Sequence, residues 1–347
     1  MPDIPFGEWT PDRAAAGTPG LQDLQNMQCV ADGYASMSGT SMSNYSALAG
    51  ECRGARALTT SQGSNFILAG TNDALYVYNS ETGEDETPSG LPDLGVTGRW
   101  VFDVYGSNLY ATAGGELYTS DGTDTFDGVD ALASFCSVAA VHRNFMLLGN
   151  IVGKGAHASA IGIQEAGLHW SAIGDPTSWP DITTVDAISK QSGVKILEGD
   201  GGRITDIVST REFALIFRER QVWRLDYVGV PTVWSLRKID ETRGAFIAGT
   251  GVSIGGVVYY IAEDGFHACD GNQIKQIGLE RVDRTFIGLL DTCASALARV
   301  SVTAVPELNS VIWSAPSGAP TPNFQWAYNY ELNRWWNFRL PLEWLFI

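Results

Sequence analysis

The chain has 347 residues, 44% hydrophobic and 18% charged, which is enough apolar material for a large core. Its 39 acidic residues outweigh 22 basic ones, a net charge of −17, and no run of Lys and Arg is present. That excludes a protein that grips phosphate backbones by charge attraction.

Residues 1–24, "MPDIPFGEWTPDRAAAGTPGLQDL", are proline-rich and without periodicity, and read as an extended N-terminal arm. No basic stretch followed by an apolar run opens the sequence, so no secretory leader is expected. No segment approaches the ~18 apolar residues of a membrane span. Residues 35–50, "ASMSGTSMSNYSALAG", read as loop or weak strand.

From Cys52 onward one theme recurs: a polar turn, a short apolar strand, a tight turn, and a second strand rich in Tyr or Trp. It appears in "GSNFILAGTNDALYVYNSETGE", "GSNLYATAGGELYTSDGTDTF", "HRNFMLLGNIV" with "AGLHWSAIGDPTSW", "TREFALIFRERQVWRLDYVG", "IGGVVYYIAEDGFHACDGNQIKQIG", and "ELNSVIWSAP" with "NFQWAYNYELNRWWNF". Leu75 and Val77 alternate with Tyr76 and Tyr78, and Val222 and Arg224 with Trp223 and Leu225, the period of antiparallel hairpins. The apolar starts, near Phe66, Leu109, Phe145, Phe213, Val257 and Val311, are mostly spaced by roughly the 40–50 residues of a four-stranded propeller blade. A longer third gap carries an insertion around Lys154–Ile163 and the segment "DITTVDAISKQSG". A strand-like segment precedes each hairpin: "RGARALTT", "RWVFDVYG", "FCSVAAVH", "ITDIVSTR", "GTGVSIGG" and "LARVSVTAV".

The expected fold is therefore all-β: an arm and first strand region over 1–51, then a β-propeller of about six blades over 52–347. The blades fall near 52–95, 96–132, 133–195, 196–247, 248–295 and 296–347. A pair of β-sandwiches would explain the strands but not their sixfold order. The best short helix is around Arg281–Leu290.

The five cysteines form no CxxC pair and read as unpaired thiols, and the four histidines are isolated in sequence. In "LHWSAIGDPTSWP", Trp170 and Trp179 flank a turn led by Asp175-Pro176. They could be stacking faces for a sugar, but packing is the default for so large a side chain, with Trp179 capping the turn by lying on Trp170. Trp223, Trp335 and Trp336 read likewise as blade-end aromatics. Arg218, Arg220 and Arg224 share a parity on adjoining strands, the pattern of a solvated face that could meet an acidic neighbour. "TSDGTDTF" loosely resembles the Asp-box of sialidases, with altered spacing. The stretches 121–130 and 198–203 carry enough oxygens for Ca²⁺ but lack the EF-hand pattern, and turn chemistry explains both. No Walker loop, GxSxG or HExxH is present. No cofactor, metal or catalytic activity is expected.

Several segments, taken in order, carry a family resemblance: "VADGYASMSG", "RGARALTTSQGSNFILAGTNDALYVYNSETG", "LHWSAIGDPTSWP", the long run from "ALIFRERQVWRLDYVG" to "IGLERVDRTF", and "NYELNRWWNF". Together they resemble the tail nozzle, or packaged-DNA stabilisation, proteins of short-tailed bacteriophages, over nearly the whole chain. The resemblance implies a β-propeller in a virion tail, made in the host cytoplasm. It implies a ring of copies, commonly sixfold, below portal and adaptor proteins, through which DNA is retained and ejected without sequence-specific binding. Phe6 and Trp9 of the arm would then dock on a neighbouring subunit or the adaptor, or else cover their own propeller. A subunit of net −17 repeated in a ring would line a channel with carboxylates, so acidic residues are expected to face the axis. The rival readings are a carbohydrate-binding or sialidase-like propeller that recognises a cell-surface glycan, and a cellular scaffold propeller.

Overall fold

The alternating hairpins build six antiparallel blades around one axis. The computed structural model describes residues 7–14, 20–37, 47–79, 85–86, 98–122 and 126–346. A hairpin of β1 (Met27–Val30) and β2 (Gly33–Ser36) precedes the blades. Blade 1 comprises β3 (Gly54–Thr59), β4 (Asn65–Gly70), β5 (Leu75–Asn79) and β6 (Asp85–Glu86). Blade 2 comprises β7 (Val101–Tyr105), β8 (Asn108–Thr112), β9 (Tyr118–Ser120) and β10 (Asp127–Gly128). Blade 3 has β11 (Phe135–His142), β12 (Phe145–Val152), a helix α1 (His157–Ile161), β13 (Ile163–Trp170), a helix α2 (Val185–Ser189) and β14 (Gly193–Ile196). Blade 4 has β15 (Ile204–Ser209), β16 (Ala214–Arg218), β17 (Val222–Gly229) and β18 (Val233–Asp240). Blade 5 has β19 (Val252–Ile254), β20 (Val257–Ala262), β21 (Gly265–Cys269) and β22 (Ile274–Gln276). Helices α3 (Asp283–Leu289) and α4 (Ala294–Leu297) lead to blade 6, made of β23 (Ser301–Val305), β24 (Ser310–Ala315), β25 (Phe324–Asn329) and β26 (Arg334–Phe338).

Within every blade the strands pair in chain order, and the first strand of each faces the axis. The polar turns between strands are held by side chains that stand in for backbone acceptors. Asp270 Oδ1 accepts the amides of Asn272 and Gln273, each at 2.8 Å. Asp240 does the same for Thr242 and Arg243, and Asn329 for Glu331 and Leu332.

Apolar layers lie between blades. One joins blades 1 and 2 around Leu68 and Trp100, one blades 2 and 3 around Met146 and Trp179, and one blades 3 and 4 around Leu147 and Ile216. A fourth joins blades 4 and 5 around Phe217 and Tyr260, and the largest joins blades 5 and 6 around Phe266, Trp313 and Trp335. Both faces of blades 2 to 5 are therefore buried, which corrects the simple alternation read from sequence. In β17, Val222 enters the layer toward blade 5 and Leu225 the layer toward blade 3, and both are fully buried.

Where the N-terminal region is described, it lies on its own propeller rather than reaching away. β1 pairs with β26 through Met27 and Asn337, so blade 6 has six strands in the order β2-β1-β26-β25-β24-β23. Asn337 Nδ2 donates to the Leu24 carbonyl at 2.7 Å, and the Tyr34 hydroxyl donates to the Trp335 carbonyl at 2.9 Å. Tyr34 in turn accepts the Trp9 amide at 2.8 Å. The Trp9 ring meets Trp326 at 4.7 Å between centroids and is 4% exposed. The physical reason is that β26 offers an unpaired edge and Trp326 an apolar face, and the chain supplies both coverings itself.

Candidate functional site

The axial tunnel is the first candidate site. It encloses about 700 Å³ and is walled by the inner strands of all six blades and by Trp344, Leu345 and Phe346. Its charged lining is Arg56, Arg99, Asp103, Arg203 and Asp206. Each inner-strand charge is used to stitch neighbouring blades. Arg56 of β3 donates to the Phe102 carbonyl of β7 and lies 3.5 Å from Asp103. Asp103 of β7 accepts the Val141 amide of β11 at 2.6 Å, and Asp206 of β15 accepts the Gly251 amide beside β19 at 3.0 Å. Arg99 donates to the carbonyls of Ala248, Gly249 and Val300 at 2.7–2.8 Å. Burial pulls Arg99 down to about 10 against the attraction of Asp206. Burial also pushes Asp206 up to about 6, although the Gly251 amide and Arg99 favour its charged form.

Three arginines against two aspartates do not make an acidic lumen. The propeller's own tunnel is thus not acid-lined, and its two aspartates serve as acceptors for adjacent blades.

A pairing that sequence separation hid lies beside this wall. His142 Nδ1 and Ser209 Oγ are 2.8 Å apart, and Ser209 lines the tunnel. His169 Nδ1 and Ser134 Oγ form a similar pair at 2.9 Å, wholly inside blade 3. A serine–histidine nucleophile needs the far imidazole nitrogen oriented by an acid and a base that titrates near neutrality. Here Nε2 of each histidine is buried without a hydrogen bond, and burial lowers His142 to about 4 and His169 to about 3. The first pair joins blades 3 and 4, the second ties blade 3 internally, and both lack the parts of an acyl-transfer site. Among the described residues no three His, Cys, Asp or Glu converge on a metal position.

The residues singled out from sequence fall elsewhere, and separately. Arg218 is 3% exposed, not on a solvated face. Its guanidinium donates to the carbonyls of Glu198, Gly199 and Gly202 and to Gln221 Oε1 at 2.8–3.0 Å. The loop considered for Ca²⁺ at 198–203 is thus wrapped around an internal cation. Arg220 is exposed and bonds the Asp200 carbonyl. Arg224 pairs with Asp226 at 2.8 Å, stacks on Phe213 at 4.5 Å and reaches the Gly271 carbonyl of blade 5.

Trp170 and Trp179 are both buried, but not on each other. Trp170 faces blade 4 and donates to the Gln191 carbonyl at 2.7 Å. Trp179 lies on the opposite face of β13, edge-on to His169 at 4.8 Å, and donates to the Pro176 carbonyl. Adjacent residues of a strand point to opposite faces, so the cap of that turn met position 169 rather than 170. Trp223 is half-buried under Lys238, and Trp335 and Trp336 are fully buried. Phe6 lies outside the described residues, as do positions 123–125 of the Asp-box-like stretch.

No protein-family profile matches the chain, and no curated protein does. Among solved structures it is similar to a streptogramin B lyase, with TM-score 0.53 at 10% identity over 85% of this chain and 86% of that one. It is also similar to a chain of the mitotic checkpoint complex, with TM-score 0.50 at 10% identity over 84% and 83%. A third likeness is to virginiamycin B lyase from Staphylococcus aureus, with TM-score 0.48 at 9% identity over 84% and 85%. At such identities the likeness defines the class by fold alone: the chain is a six-bladed β-propeller.

Proposed function

We propose that this propeller is a non-catalytic structural protein of a bacteriophage tail, forming a nozzle or hub ring of copies below the portal and adaptor. The observation that carries this reading is the ordered set of segments, from "VADGYASMSG" to "NYELNRWWNF", that resembles the nozzle family over nearly the whole chain. Two features support it. The segments with a described structure serve turns, caps and interblade layers, as in a part whose work is assembly. The aromatics that a glycan-reading surface would display, Trp170 and Trp179, are buried.

On this reading DNA passes along the axis of the ring, between copies, and not through the propeller. The propeller tunnel is a poor conduit, with Trp344, Leu345 and Phe346 in its lining and more arginine than aspartate. No membrane insertion is part of the proposal, and no described helix is long and apolar enough to cross a membrane.

The test is the mass of the purified chain in solution, alone and mixed with phage particles that lack it. A ring, or incorporation at the tail vertex, supports the proposal. A chain that stays monomeric, ignores such particles and is retained on a glycan array replaces it with the carbohydrate reading.

A further inference from the structure

We infer that residues 339–346, which follow β26, form a strap that clasps blade 6 to blade 1 and bars one end of the axial tunnel, so that seam and tunnel open together. The inference is independent of the tail reading. Five of the six gaps between blades are filled by the apolar layers described above. Among the described residues none of these layers spans the gap between blades 6 and 1. A cleft of about 530 Å³ lies there instead, walled by Glu51, Arg53 and Arg299 and by the loops around Cys293 and Pro320.

The strap crosses this gap. Its root is pinned in blade 6, where the Gln325 side chain exchanges hydrogen bonds with both the amide and the carbonyl of Leu340 at 2.9 Å. Leu342 and Leu345 pack against the layer of blades 5 and 6, and the Leu345 amide reaches Ser301 Oγ at 3.1 Å. Glu343 then pairs with Arg299, which is 2% exposed, and accepts the Cys52 amide at 3.3 Å on the blade 1 side. Arg299 also meets Glu51 at 3.4 Å. Trp344 lies against the Arg99 guanidinium, 4.6 Å from its ring centroid, and Arg99 is the residue bonded to Ala248, Gly249 and Val300.

One short segment thus touches blade 6, blade 1 and the tunnel wall. A buried arginine holds its geometry only while its carboxylates stay in place. With no apolar layer behind it among the described residues, the seam depends on Glu343 and Trp344.

The experiment is amide hydrogen exchange on the full chain, on Glu343→Gln, on Trp344→Ala, and on a chain stopped after Leu340. The expected result is exchange faster by about tenfold or more in peptides covering 51–59 and 299–305, with 214–225, which lies away from both seam and tunnel, unchanged. Seam peptides that stay as slow as in the parent overturn the inference, and so does uniform acceleration throughout. If the shortened chain does not fold, the two single substitutions decide.

Discussion

Gly122 in blade 2 and Gly271 in blade 5 occupy equivalent places, and each is the floor under a phenylalanine of the preceding blade. Both have φ of +87°, and a Cβ on either would run into the ring of Phe66 or Phe213. Each amide is also tied to the side chain two residues back, Ser120 Oγ or Cys269 Sγ. Substitution by alanine combines a left-handed backbone with a steric clash, and should cost about 2–4 kcal/mol at either position. Gly106→Ala is the control, since its φ is +63° but nothing lies within 4 Å, and it should cost only about 1 kcal/mol. Denaturant midpoints of the three variants check the order.

Arg218 gives a second residue-scale outcome. Removing its guanidinium takes away the donor shared by the carbonyls of Glu198, Gly199 and Gly202 and leaves the buried Gln221 Oε1 without it. Arg218→Met should therefore cost about 3 kcal/mol, while exposed Arg220→Ala should stay within about 0.5 kcal/mol. Equal effects on thermal unfolding would return the pair to the solvated face read from sequence. That reading failed because parity along a strand says which residues share a face, not what the next loop lays over it.

At the scale of elements, the strands were legible because local chemistry writes them. "FCSVAAVH" is β11 residue for residue, "RGARALTT" contains β3, and Arg281–Leu290 brackets α3. Turns announced themselves through Asp, Asn and Gly for the same reason. What was not legible needed a partner far along the chain. Tyr34 and Trp335, or Trp9 and Trp326, meet only when the N-terminal hairpin returns to the last blade, and no local pattern encodes that edge. The pairing carries a prediction. Trp9→Ala removes a ring from between β25 and the N-terminal segment, and should cost about 3 kcal/mol. Deleting residues 1–36 should expose β26 and Trp326 and cause loss of solubility, visible as aggregation in light scattering. A soluble monomer of unchanged melting temperature would mean that the hairpin covers nothing essential.

The whole molecule stores all four of its histidines inside, at 0–1% exposure, and the burial of His142, His169 and His267 makes its stability depend on pH. His142 and His169 have folded values of about 4 and 3, below the ordinary 6.5, because burial disfavours their charged forms. Their contribution is therefore present above pH 6.5 and is lost as the pH falls toward 4 and then 3. Two carboxyls act in the opposite sense. Burial raises Asp206 and Asp283 to about 6 from an ordinary 3.8, so their contribution is present below pH 3.8 and is lost as the pH rises through 6. Between pH 6 and 4 the two effects oppose each other, and the stability curve should be shallow there. Below pH 3.8 the aspartates have no more to give while His169 is still taking up its proton, so the curve should fall steeply. Replacing both His142 and His169 by asparagine removes the larger part of the downward term and leaves that of His267, which burial also lowers. The double variant, although less stable at pH 7, should then gain stability on acidification from pH 6 to 4, as Asp206 and Asp283 take up protons. Urea unfolding of parent and variant across pH 3–8 measures this directly. A variant whose curve keeps the parent's shape would move the pH dependence away from these imidazoles and onto the surface carboxylates, where the net charge of −17 resides.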